Sequence, residues 1–527
     1  MATTSQRDPN GGTTTAGSEK LDRTVIVTGL VIVSGMIMSV LDTTIVNVAL
    51  DTLSSDLDAT LNKTQWVVTG YLLSVAMVIP ITGWAMDRFG SKRIWILAVG
   101  LFMLGSALCA AAWNIESLIG FRILQGLGGG MLLPAGQTLI ARAAGSDRMG
   151  RAMSILGVPM LLGPVFGPVL GGLLVEYASW HWIFVVNVPV GILAISLAVW
   201  KLPSGTALDT PGRLDVIGLV LLSGSLASLL YGFSEASSRG GFGEWAVLGW
   251  LVGGATGLVL YVGYSLYRGA DSIIDVRLFA NRVFASSTVA VFLVAIGMFG
   301  GMLLLPLYYQ TVRGEGALDA GLLLAPQGLG AIVAVLLTGR LTDRIGAGYV
   351  VPVGVVLALL GTFPFTQVGV NTSYTGLSVA LFVRGIGIGA VMMPTISSAY
   401  SRLSKENASR AAPSLSAIQQ VGASLGSAVL VTVLTHRFTH ELASRGLQSG
   451  ASGTGGGSTE LASIPRAELR VVGPLLADSY GYAFWVAFAL TALIIIPALL
   501  LPRHLHGKDG AAGERQGDPV EAGGQGR

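Results

Sequence analysis

Apolar stretches of about twenty residues recur from one end of the chain to the other, separated by short polar breaks. Each is long enough to cross a bilayer as a helix. The pattern predicts spans at 22–48, 64–84, 92–112, 117–140, 151–175, 181–200, 213–234, 246–267, 284–311, 319–339, 349–369, 375–399, 411–435 and 480–501. The expected fold class is therefore an all-α integral membrane protein with fourteen transmembrane helices. Residues 436–479 carry a Gly/Ser-rich tract at Ser449–Ser458 and read as a long loop with a short helix near Pro465–Leu475. Residues 1–21 and 504–527 are polar and Gly-rich and read as disordered tails.

One pattern occurs twice. Gly83-Trp-Ala-Met-Asp87-Arg88-Phe-Gly90 closes the second span and Gly339-Arg-Leu-Thr-Asp343-Arg344-Ile-Gly346 closes the tenth. A duplicated motif at matching helix ends is the mark of repeated halves. Setting aside the spans near 213–234 and 246–267 leaves six helices before and six after. The expected organisation is thus a six-helix bundle at 22–202, an inserted pair with linkers at 203–282, and a second bundle at 283–503.

Composition fits a bundle solvated by lipid. Of the 527 residues, 52% are hydrophobic and 12% charged, against about 25% charged in soluble domains, and the mean hydropathy is +0.68. Charge placement orients the chain. Of the 32 Lys and Arg, only Lys63, Arg239, Arg313, Arg437, Arg445, Arg466 and Arg470 fall in segments that would be outside if the termini are inside. A basic surplus marks the cytoplasmic side, so both termini are expected there, in a cell membrane that the Arg- and Gly-rich composition suggests is bacterial. The single cysteine, Cys109, rules out an intramolecular disulfide.

Two charges lie deep within spans of the first half, Asp42 and Arg122. An ionised carboxylate at Asp42 costs roughly 2.5–3.5 kcal/mol on insertion scales. It is expected to face a cavity and to exchange a proton, or else to be a structural carboxylate capped by Thr43, Thr44 or Asn47. Arg384 lies at a comparable depth in the second half. The loop Gly83–Arg93 is expected to be mechanical: Asp87 meets a helix N-terminus or a basic side chain across the inner face, while Arg88, Lys92 and Arg93 meet acidic partners or anionic lipid. Gly163, Gly167, Gly171 and Gly172 allow close helix approach, and Pro164 and Pro168 remove backbone donors, which suits a bent helix at a rocking interface between halves. Trp66, Tyr71, Phe299, Tyr308, Tyr309, Gln310 and Gln327 are candidates for a cavity wall facing a large amphipathic ligand.

These motifs resemble the major facilitator superfamily, and within it the fourteen-helix drug:proton antiporters. Gly83–Arg93 is similar to the family's inner-loop signature, and Leu41-Asp42-Thr43-Thr44-Ile45-Val46-Asn47-Val48-Ala49-Leu50 to its first-helix motif. Arg122-Ile-Leu-Gln125-Gly126-Leu-Gly128 is similar to the fourth-helix motif and Gly163-Pro164-Val-Phe-Gly167-Pro168-Val-Leu-Gly171-Gly172 to the fifth-helix antiporter motif. Trp180-His181-Trp182-Ile-Phe184-Val-Val-Asn187-Val-Pro189-Val-Gly191 resembles the start of the sixth helix, with His181 where Arg is usual. The resemblance implies two six-helix bundles with a substrate site between them and proton-driven export of drugs, antibiotics or other amphipathic small molecules. It also implies a part for Arg122 in proton transfer; the alternative is a structural partner for backbone carbonyls.

Other function classes fare worse. The glycine patterns at Gly126-x-Gly128 and Gly385-x-Gly387-x-Gly389 lie inside helical runs with no preceding strand, so they are not nucleotide loops, and no Walker sequence exists. His436/His440 and His504/His506 lack a ligand set, so no metal or other cofactor is expected. A lipid-modifying membrane enzyme would need clustered carboxylates or histidines at one face. Metabolite import by symport is the nearer rival, which the fifth-helix motif disfavours. The expected partners are a small molecule, protons and membrane lipids, with no nucleic acid, and the functional unit is expected to be a monomer.

Overall fold

A computed structural model describes residues 23–144, 148–203, 213–401, 403, 408–445 and 469–503. Both tails and the Ser449–Ser458 tract lie outside them. All regular structure among the described residues is helical: α1 (Arg23–Val48), α2 (Leu50–Asp56), α3 (Leu61–Phe89), α4 (Ser91–Ala110), α5 (Ile115–Ala144), α6 (Met149–Tyr177), α7 (His181–Val185), α8 (Asn187–Lys201), α9 (Val216–Arg239) and α10 (Trp245–Arg268). The chain continues with α11 (Arg282–Thr311), α12 (Ala317–Leu323), α13 (Ala325–Ile345), α14 (Ala347–Thr362), α15 (Tyr374–Tyr400), α16 (Ala408–Ser444), α17 (Leu469–Leu493) and α18 (Ile495–Ala498). Among the described residues, 13 helical spans are long and apolar enough to cross a membrane. The 29-residue helix α6, several of whose side chains lie outside the described set, brings the long helices to fourteen.

The packing repeats. In the first half α5 lies against α3 and α4, and α1 against α6; in the second, α15 lies against α13 and α14, and α11 against α16. The duplicated motif has the same backbone in both copies. Gly90 (φ 89, ψ 143) and Gly346 (φ 85, ψ 155) adopt a region closed to side chains, which lets each chain reverse from α3 into α4 and from α13 into α14. Helices α9 and α10 pack on each other, and α9 also touches α3 and α16, which belong to different halves.

Helix ends depart from the expected spans near residue 436. Helix α16 runs on to Ser444, and the helix expected near Pro465–Leu475 is continuous with the last span, α17 running unbroken from Leu469 to Leu493. The polar residues that end the hydropathy run sit on one face of the extension. Arg437 and Glu441 form an (i, i+4) ion pair of 2.7 Å, while Phe438 and Leu442 are buried on the other face. Likewise Leu475, Leu476 and Tyr480 bury one face of early α17.

Candidate functional site

Glycines on α4 and α5 set the geometry at the centre of the first half. A Cβ on Gly105 would lie 2.5 Å from Gln125 Cα, one on Gly126 would lie 2.0 Å from Ser74 Oγ, and one on Gly128 would lie 2.4 Å from Phe102 N. Helices α3, α4 and α5 therefore touch backbone to backbone, which brings the polar side chains of α5 within reach of α1.

The result is a buried polar cluster around Asp42. Arg122 Nη1 donates to Asp42 Oδ2 at 2.5 Å and to Gln125 Oε1 at 2.7 Å. Gln125 Nε2 donates to Asp42 Oδ1 at 2.9 Å and to Ser106 Oγ at 2.6 Å. Asn187 Nδ2 donates to Ser106 Oγ at 3.1 Å and reaches Asp42 Oδ1 at 3.5 Å. Arg122 Nε donates to the Val67 carbonyl at 3.1 Å, and its guanidinium lies 4.1 Å from the centre of the Tyr71 ring. Asp42, Arg122 and Tyr71 are each 1% exposed and Gln125 is fully buried. The cluster thus ties α1, α3, α4, α5 and α8 together through one carboxylate.

Arg122 meets a backbone carbonyl, that of Val67, and the Asp42 carboxylate at once. The proposed caps of Asp42 act elsewhere: Thr43 donates to Val40 O, Thr44 to Leu41 O and Gly163 O, and Asn47 to Thr43 O. Gln125, Asn187 and Ser106 are the members that sequence reasoning gave no role. Gln125 and Asn187 lie within the fourth- and sixth-helix motifs; Ser106 carries no signal of its own.

The duplicated motif builds a contact between halves, through its second copy. Asp343 on α13 sits at the N-terminus of α6, where it accepts from Gly150 N at 2.9 Å and from Arg151 Nε at 2.7 Å. A carboxylate there meets both unpaired backbone donors and the positive end of the helix. Gly150 and Gly339 make room for it: a Cβ on either would lie 2.5 Å from Asp343 Oδ1 or 2.4 Å from Ser154 Oγ. Nearby, Tyr400 OH donates to Gln137 Oε1 at 3.2 Å, joining α15 to α5.

In the first copy, Asp87 accepts from Arg142 Nη2 at 2.9 Å, and Arg142 Nη1 donates to Ser91 Oγ at 2.8 Å. Lys92 caps a helix: its Nζ donates to the carbonyls of Val199 and Leu202, each at 2.8 Å, at the C-terminus of α8. Gly83 is buried, and Arg88, Arg93 and Arg344 are exposed.

The glycines of α6 divide by face. Cβ atoms on Gly163, Gly167 and Gly171 would meet Val40 Cγ1 at 2.2 Å, Thr44 Oγ1 at 1.8 Å and Ile45 O at 3.0 Å, so this seam packs on α1 inside the first half. It is not the expected interface between halves, which is made instead by Gly150 and by Gly157, whose Cβ would lie 2.7 Å from Met393 Cγ. A Cβ on Gly172 would meet nothing within 4 Å. The side chains of Pro164 and Pro168 lie outside the described set.

The candidate cavity residues scatter. Phe299 lines a small cavity with Val294, Met298, Met392, Ile396 and Gln419. Gln327 is buried and accepts from Arg384 Nη1 at 2.5 Å. Trp66 is 41% exposed and packs on Tyr231 of α9, with ring centres 5.7 Å apart. Tyr308 and Tyr309 belong to the core of the second half, with Tyr308 OH donating to Gly369 O at 2.9 Å. Gln310 is exposed. Aromatic and amide side chains suit a ligand wall and helix packing equally, and at Trp66, Tyr308 and Tyr309 packing takes them.

A sequence model of the Major Facilitator Superfamily matches residues 32–427, most of the chain and both copies of the duplicated motif. The chain belongs to the major facilitator superfamily. Among relatives of this transporter, a protein named multidrug resistance protein B homolog from Mycobacterium tuberculosis is 39% identical over 498 residues, covering 92% of this chain and 91% of the relative. A putative multidrug resistance protein MdtD from Cronobacter sakazakii is 32% identical, covering 90% and 93%. The structure of the proton:xylose symporter XylE superposes with a TM-score of 0.58 at 13% identity, covering 90% of this chain and 95% of that one. That likeness speaks for the fold alone. The protein is accordingly a multi-pass membrane transporter of small molecules.

Proposed function

We propose that this transporter exports amphipathic small molecules in exchange for protons, and that Asp42 carries the proton. The observation behind the reading is the buried Asp42 carboxylate in the core of the first half, held by Arg122, Gln125 and Asn187. Export rather than uptake is supported by the relatives, which are named for multidrug resistance.

The chemistry of exchange follows from the pairing. Ionised Asp42 is stabilised by a charge-assisted hydrogen bond to Arg122 and a second bond to Gln125. Protonation removes the charge that Arg122 neutralises and frees α1 from its strongest tie to α5. Re-forming the pair restores the tie between α1 and α5.

Helix α6 is placed to relay the change. Its outer seam holds α1 at Gly163 and Gly167, two residues from Asp42 through Thr44. Its N-terminus holds α13 through Asp343. A shift of α1 on losing the pair therefore acts on the same helix that holds the two halves together at Asp343, and a contact made in one state only sets their balance.

The test is transport in everted membrane vesicles. Uptake of a dye or drug into the vesicles is expected to need an imposed proton gradient, to stop on adding a protonophore, and to be matched by proton release on adding substrate to energised, dye-free vesicles. Uptake that persists with the gradient collapsed would rule out proton exchange as the energy source.

A further inference from the structure

The second half repeats the packing of the first with a different charge. Gly105 of α4 meets the backbone of Gln125, its Cβ 2.5 Å from Gln125 Cα; Gly361 of α14 meets the backbone of Arg384 in the same way, its Cβ 2.5 Å from Arg384 Cα. Gly126 meets the Tyr71 carbonyl at 2.7 Å, and Gly385 meets the Gln327 carbonyl at 2.0 Å. Arg384 therefore stands where the first half has Gln125, one residue position from the glycine that follows, and Gln327 stands where it has Tyr71. Helix α11, the counterpart of α1, contains no Asp or Glu.

The outcome is a buried cation without a counter-charge. Arg384 is 4% exposed, and its one hydrogen bond among the described residues goes to the neutral Gln327. Among the described residues no carboxylate pairs with it. A buried guanidinium left uncompensated is costly, and the cost is lifted by any anion that reaches it. Arg384 lines a small cavity of about 20 Å³ with Val294, Met298, Thr362 and Thr491. Val294 and Met298 also line the neighbouring cavity of Phe299 and Gln419. The second half thus offers a cation, hydroxyls beside it, and the apolar side chains of Val294 and Met298 shared with the neighbouring cavity.

We propose that Arg384 and Gln327 form the recognition site for the anionic group of the transported molecule, so that the substrates are amphipathic carboxylates or similar monoanions whose apolar body lies along Val294 and Met298. The assignment rests on the efflux reading above and gives it a substrate class. Proton chemistry belongs to the first half and anion recognition to the second. Gly301 is part of the fit: a Cβ there would lie 2.1 Å from Arg384 Nη2, so the position must stay bare for the guanidinium to extend.

The test measures equilibrium binding of 2-naphthoate and of its uncharged analogue 2-naphthamide to the full-length protein in nanodiscs. The wild type is expected to bind naphthoate at least roughly tenfold more tightly, equivalent to about 1.4 kcal/mol. Arg384→Gln is expected to erase that preference. Should Arg384→Gln fail to fold, Val294→Asp puts a carboxylate into the same cavity with Arg384 intact, and it too is expected to erase the preference. A wild type without the preference, or either folded variant that retains it, overturns the assignment. Raising sodium chloride separates a free inorganic ion from a substrate carboxylate. Preference that survives chloride supports the proposal, and preference that chloride abolishes assigns the site to a small inorganic anion and overturns it. The efflux reading fails on a different readout, the proton dependence of transport and its loss in Asp42→Asn, so the two can fall separately.

Discussion

Asp42 and Arg122, 80 residues apart in sequence, meet at 2.5 Å with both side chains almost wholly buried. The pair is the first half's only described link between a buried acid and a buried base inside the bundle core, and Gln125 bonds to both members. Buried pairs of this kind are costly to break from one side, because the remaining charge has no partner.

That asymmetry gives the first prediction. Arg122→Gln is expected to lower stability by about 3–5 kcal/mol at neutral pH, the usual range for halving a buried pair. The double variant Arg122→Gln/Asp42→Asn is expected to recover much of the loss, because neither member is then charged. Thermal unfolding of the purified variants in one detergent checks this. A double variant no more stable than Arg122→Gln would mean the two side chains are not energetically coupled.

Asp343 carries the second prediction. Asp343→Asn removes the ion pair with Arg151 and weakens the cap on α6, contacts of the class worth roughly 1.5–3 kcal/mol. The halves are then expected to separate more often at this end. Ser154, buried beside Gly339, reports it: labelling of Ser154→Cys by a small thiol reagent should speed up on the order of tenfold in the Asp343→Asn background. Unchanged labelling would show that the contact does not hold the halves together.

The glycine seam of α6 yields a paired test. Gly167→Ala places a methyl 1.8 Å from Thr44 Oγ1, so α1 must move or Thr44 must turn away from the Gly163 carbonyl. Overpacking of this sort costs about 1–3 kcal/mol. Gly172→Ala meets open space and is expected to be neutral or slightly stabilising. Transport and unfolding temperature measured side by side should fall for Gly167→Ala only. Equal effects at both positions would remove the seam as a specific contact.

How far the sequence could go is shown by particular residues. Asp42 and Arg122 were legible because charge within an apolar run is rare and expensive, so each stands out alone. Their pairing was not, because it depends on how closely Gly105, Gly126 and Gly128 let three helices approach. The duplicated motif announced two equivalent turns, and Gly90 and Gly346 share a backbone conformation. It did not announce that Asp343 sits on the N-terminus of α6, since the motif names no partner. Gly163, Gly167, Gly171 and Gly172 look alike in sequence, yet three face α1 and the fourth faces nothing, a distinction of helix face that spacing alone resolves only once the neighbour is known. The extension of α16 to Ser444 was hidden because hydropathy counts His436, Arg437, His440 and Glu441 as a break, whereas a helix places them on one side.

The central claim is that Asp42 takes up and releases the coupled proton, and substrate-induced proton release tests it most directly. Purified wild type and Asp42→Asn, matched in amount and in folded fraction, are mixed with substrate in weakly buffered solution containing a pH indicator. Asparagine keeps the size and hydrogen-bonding capacity of the residue and cannot titrate. Wild type is expected to release protons on binding substrate, Asp42→Glu to retain part of that release, and Asp42→Asn to release none while still binding substrate. Proton release from Asp42→Asn equal to that of wild type would contradict the account and return Asp42 to a structural role in the α1–α5 contact.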